Sequence, residues 1–171
     1  MPVVKGYVID RDDGTRIEFR YFQPLSEDVA AEYDEMPVRG RSEPHSFYSQ
    51  TGPDTWQFSL KLMASVDQGD GGTPRKIYDD YLFLKSFQYP DYGPSFVGPV
   101  KPPRQAIITI GTFFRKKGQI RTPSFTFNAP YDENGFPHSI DCNFTFRVIN
   151  DLPLSFSDVR RGIGNLPPDF T

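Results

Sequence analysis

The side chains that do chemistry are few in this chain and widely spread. Asp10, Asp12 and Asp13 form an acidic cluster spaced closely enough to suggest calcium. A calcium loop of the EF-hand kind needs glycine at its sixth position for a sharp turn and a bidentate glutamate at its twelfth. Counted from Asp10 those places hold Thr15 and Tyr21, so the cluster reads as a solvated turn. His45 and His138 have no paired metal-ligand spacing, and one falls in a polar loop while the other stands at the foot of a hairpin. Cys142 is the only cysteine and sits in an apolar alternation, which marks a small buried hydrophobe rather than a reactive thiol. Gly69-Asp70-Gly71-Gly72 lacks the Lys-Ser/Thr ending of a phosphate loop, and Gly162-Ile163-Gly164 has no strand before it. No nucleophile, base and orienter stand out as a set, so the sequence reads as non-enzymatic, with no cofactor and no metal.

The elements that remain are those of a sheet. A chain of 171 residues is long enough for one domain with a real core. Its 16 Phe and 9 Tyr favour strands, because rings fit a pleated, half-buried surface. The 17 Pro and 14 Gly fall between apolar periodic runs and so read as turns, not disorder. A net charge of −3 offers no basic footprint for phosphate, which disfavours DNA as a bound ligand. The start has no apolar run of signal-peptide length, and no stretch approaches the roughly 18 apolar residues of a membrane helix. The expectation is a protein made and folded in a cytoplasm, without a membrane anchor.

The longest signal runs from Gln119 to Asn150. Ile120, Phe125 and Phe127 lead into a turn-rich stretch around Asn134-Gly135, and Ile140, Cys142, Phe144, Phe146 and Val148 return at period two. Strands of roughly ten residues exceed the usual five or six, so the outer half of this hairpin calls for a cover beyond the local core. Val3 to Ile9 and Thr15 to Phe22 read as an opening hairpin around Asp13-Gly14. Leu25 to Val38 reads as one strand, or as a short helix capped at Ser26, and it is the acidic part of the chain. Arg39 to Thr55 reads as a loop with an extended piece at Phe47-Tyr48. Trp56, Phe58, Leu60 and Leu62 share one face of a core strand. Gln68 to Gly72 is a connector, and Thr73-Pro74 then caps a helix with the stripe Ile77, Tyr81 and Leu84. Tyr89 to Arg104 reads as an extended connector in preference to a polyproline ligand. Gln105 to Phe114 is a strand with a bulge or close approach at Gly111, and Arg115 to Gly118 is its turn. Asp151 to Thr171 forms a C-terminal arm beyond a domain of residues 1–150.

The order of these pieces resembles the tube-protein family of contractile injection systems and phage tails. The resemblance rests on Phe19-Arg20-Tyr21-Phe22-Gln23-Pro24, Trp56-Gln57-Phe58-Ser59-Leu60-Lys61-Leu62, Ile107 to Gly111, Phe125-x-Phe127 and Gly135-Phe136-Pro137. Gln23 stands where the family has Asn before Pro. The resemblance implies a mainly β fold, an antiparallel sandwich or half-barrel with one flanking helix, in subunits that form a hexameric ring. It implies a tube-initiator or baseplate-proximal component in a virion tail or injection machine, partnered by other tail-tube or baseplate proteins. DNA would pass through its channel without specific binding. Phe125, Phe127, Tyr131, Asn134, Gly135 and Phe136 would then form an assembly hairpin. Independently of the resemblance, Leu154, Phe156, Arg160, Arg161 and Phe170 make the arm too apolar for a free tail, so it either reaches a neighbouring subunit or the next ring, with Arg160-Arg161 facing acids such as Glu27 to Glu35, or folds back over its own sheet. The alternative is a β-sandwich carbohydrate-binding module that stacks sugars on Trp56 or on Tyr89 to Tyr92, and a small hydrolase is a third option.

Overall fold

The computed structural model describes residues 5–19, 25–37, 39, 44–64, 72–90, 100–150 and 154–161. The strands are β1 (Gly6–Asp10), β2 (Arg16–Phe19), β3 (Ser26–Asp28), β4 (Ala31–Met36), β5 (His45–Thr51), β6 (Thr55–Met63), β7 (Ala106–Ile110), β8 (Phe114–Tyr131) and β9 (Pro137–Val148). The helices are α1 (Pro74–Ser86) and α2 (Phe156–Arg160). Seven strands form one antiparallel sheet in the order β2-β1-β7-β8-β9-β6-β3, and β4 and β5 pair separately. The fold is mainly β, and it has two helices among the described residues where one was expected.

Alternation explains the core. Val8, Ile108, Phe58, Leu60 and the even-numbered residues from Ile140 to Val148 all point to one side of the sheet and are buried. Edge strand β2 comes back against β6, so the sheet curls into an open barrel around these side chains. Phe58 is the hub, stacked on Phe144 with ring centroids 5.3 Å apart and edge-on to Phe114 and Phe146.

In the long hairpin β8 and β9, one extra residue sits in β8 between Arg121 and Ser124, where Thr122 has φ 45° and Pro123 has no N–H to give the ladder. This bulge switches parity. Ile120 faces inward before it, and Phe125 and Phe127 pair with Cys142 and Ile140 on the same face after it. At the tip the Asp132 carboxylate accepts from the backbone N–H groups of Asn134 and Phe136 at 2.9 and 2.7 Å, and Gly135 takes φ 80°.

Four expectations need correction. Leu25 to Val38 is not one strand, because β3 pairs with β6 while β4 pairs with β5. The break at Val29-Ala30 lies opposite Gly52-Pro53-Asp54, where Pro53 cannot donate to a ladder and the Gly52 N–H bonds the Ala30 carbonyl at 2.7 Å instead. Arg39 to Thr55 is more than a loop, since it contains the seven-residue β5. Arg115 to Gly118 is no turn but the start of β8 paired with β7, and the turn falls just before it, where Gly111 has φ 53°. The outer half of the hairpin, finally, has part of its cover within the same chain, in α1, which packs on Phe125, Phe127 and Phe136 and leaves Tyr131, Asn134 and Gly135 exposed. Of the residues with an expected role, Phe22-Gln23-Pro24, Gln68 to Gly71, Tyr92, Gly162 to Gly164 and Phe170 lie outside the described residues.

Candidate assembly surfaces

The helix that covers the hairpin forms where the sequence places it. The Thr73 hydroxyl accepts from the Lys76 N–H, Pro74 occupies the first turn, and Ile77, Tyr81 and Leu84 are buried. Tyr81 meets Phe125 and Phe127 edge-on, with centroids 4.9 and 5.1 Å away, and Tyr78 lies 5.5 Å from Phe136. Three of the six hairpin residues singled out from sequence therefore contact the protein's own helix. Tyr131, Asn134 and Gly135 are exposed at the tip, and Phe127 keeps part of its ring in solvent.

A second projection was not anticipated. β4 and β5 continue the β3–β6 pair past its bend as a two-stranded ribbon in which every described side chain is exposed. Tyr33 and Tyr48 pack edge-on at 6.0 Å on one face, and Phe47 lies opposite Asp34, with Met36 two residues along, on the other. The ribbon carries Glu32, Asp34 and Glu35 and no Lys or Arg in either strand. The sequence signal was present in the alternation of Tyr33 with acids, but the polar Arg39 to Gln50 stretch hid its partner strand. His45 begins β5 and His138 lies in β9, on different elements.

The arm contributes α2. The Ser155 hydroxyl accepts from the Asp158 N–H while the Asp158 carboxylate accepts from the Ser155 N–H at 3.0 Å, a reciprocal cap that starts the helix. The Ser155 hydroxyl bond to the Asp158 carboxylate, and then the backbone N–H bond, hold that carboxyl below its usual range. Leu154, Phe156, Arg160 and Arg161 are exposed, and so is Val159.

The polar clusters are built as structural pairs. Lys116 points inward from β8, bonds Asp54 at 2.6 Å and lies 5.0 Å from the centre of the Trp56 ring, with Glu27 at 4.0 Å. Burial raises the Glu27 carboxyl, the Asp54 charge adds to that, and Lys116 opposes it. Trp56 also has Phe114 against it at 4.8 Å. The Asp10, Asp12 and Asp13 turn is not simply solvated: Asp10 is buried, and all three carboxylates converge on Arg104, nearest at 3.0 Å from Asp10. Their chemistry is that of a clamp holding the strand-entry segment at Arg104 to the end of β1. Among the described residues no group of three or more His, Cys, Asp or Glu is placed to hold a metal ion, and no helix is long and apolar enough to cross a membrane. Burial pushes the Cys142 thiol up to about 12, with the Asp141 charge adding to it.

No protein-family model matches the chain, and no curated protein matches it in sequence.

Proposed function

We propose that this protein is a non-catalytic structural subunit that assembles with copies of itself into a ring, most closely of the tail-tube, tube-initiator or baseplate-proximal kind, in a phage tail or contractile injection system. The observation that carries the reading is the β4–β5 ribbon. A two-stranded ribbon with no buried side chain among the described ones is marginal in water, yet this one presents Tyr33, Met36, Phe47 and Tyr48. Natural sheets cover or charge such projections, and a neighbouring subunit is the cover that a closed ring supplies. The exposed hairpin tip at Tyr131 is a second place for a neighbour. An acidic net charge suits a channel that passes DNA without holding it. Of the stacking platforms of the carbohydrate-binding alternative, Trp56 already has Phe114 and Lys116 packed against its ring, whereas Tyr89 is exposed.

Tyr131→Asp tests the hairpin's part in assembly, since that side chain is exposed and its loss leaves the core intact. The variant is expected to keep wild-type circular dichroism and melting while failing to form rings under negative-stain electron microscopy. Rings of normal appearance would remove the hairpin tip from the assembly surface.

A further inference from the structure

Two exposed surfaces of this chain match one another in apolar content and in charge. On one face of the ribbon Phe47 is 43% and Met36 58% exposed, with Asp34 directly across from Phe47. Asp34 has no ion-pair partner among the described residues, Glu35 belongs with Tyr33 to the opposite face, and neither strand contains a Lys or Arg. On α2, Phe156 is 84% and Val159 63% exposed. Their spacing of three puts them on one face of the helix, and Arg160, four residues after Phe156, flanks the same face. Arg161 follows, and the one acid of the helix, Asp158, is taken up by its own cap. Each surface therefore has a pair of large apolar side chains beside charge that has no ion-pair partner among the described residues, acidic on the ribbon and basic on the helix.

We infer that α2 of one copy docks on the Asp34, Met36 and Phe47 face of the β4–β5 ribbon of a neighbouring copy. Phe156 and Val159 cover Met36 and Phe47, and Arg160 pairs with Asp34 at the rim. Apolar burial supplies the affinity, and the charge pair sets the orientation and rejects the ribbon-on-ribbon contact, in which acid would meet acid. A short, capped helix with no buried residue of its own is ordered by such a contact at little cost to the barrel. The contact deepens the ring reading above, on which the choice of a second copy as the partner rests.

Charge exchange on the full chain tests it, because every substituted side chain is exposed in the single subunit. Asp34→Arg and Arg160→Glu are each expected to weaken self-association in sedimentation velocity at least about tenfold, and the double variant to return to within about threefold of the parent. Phe156→Asp is expected to abolish the association, with unchanged circular dichroism. Self-association that survives Phe156→Asp overturns the docking, and so does a double variant as weak as its singles. If six-fold rings form with all four variants, the docking fails and the ring reading stands. If the exchange behaves as expected but only open chains or dimers form, the docking stands and the ring reading fails.

Discussion

Gly118 shows how closely the strands of the barrel approach. A Cβ there would run into the backbone carbonyl of Arg147 and lie 2.9 Å from the Phe146 ring, and neither the ladder nor the core ring can step aside. Gly118→Ala is therefore expected to destabilise the protein by about 1–3 kcal/mol or more, read as a lower midpoint in urea denaturation. An unchanged midpoint would mean that β8 and β9 are further apart than described. Asp80 on α1 gives the clearest pH dependence. Burial raises its carboxyl from 3.8 to about 6, with Lys76 opposing and Asp79 adding to the shift. The folded state thus binds this proton more tightly than the unfolded chain does. Its stabilising contribution is fully present below about 3.8 and is lost as pH rises through about 6. Asp80→Asn is expected to melt higher than the parent at pH 8 and to show a much smaller advantage at pH 4. Equal melting at pH 8 would contradict a desolvated carboxylate at this position.

The element that ties the hairpin to the body is α1. Tyr81 meets both Phe125 and Phe127, beyond the bulge at Thr122-Pro123. Tyr81→Ala is expected to cost about 3–5 kcal/mol, as truncation of a buried aromatic does. Amide hydrogen exchange at Phe125 to Asn128 should accelerate more than at Gly118 to Ile120, which pair with the core end of β9. Uniform acceleration along β8 would show that the outer hairpin does not depend on the helix. This cover was legible in part. The Thr73-Pro74 start and the Ile77, Tyr81, Leu84 stripe gave the helix, and the alternation from Ile140 to Val148 gave β9. What the residues did not reveal was that the two meet, since a helical stripe does not name the strand it will cover. The start of β8 was missed because two of its inward positions hold Lys116 and Gly118, one held by Asp54 and the aromatic rings, the other kept small by Arg147. A period-two pattern cannot be seen through a lysine and a glycine.

At the scale of the whole molecule, the open barrel wraps its own core, while the ribbon, the hairpin tip and α2 carry exposed apolar groups that the core does not use. Phe47, Tyr48 and Phe156 are visible in the sequence as isolated aromatics in polar surroundings. Their exposure follows from tertiary placement, in that β4 and β5 leave the main sheet at Pro53 and α2 buries none of its residues. The central claim is that these surfaces meet in a closed ring of identical subunits. Native mass spectrometry of the purified full chain, with class averages from electron microscopy of the same sample, tests it most directly. One dominant species of about six times the 19.5 kDa chain is expected, seen end-on as a six-fold ring with an open centre. A monomer that persists across the accessible concentration range would contradict it.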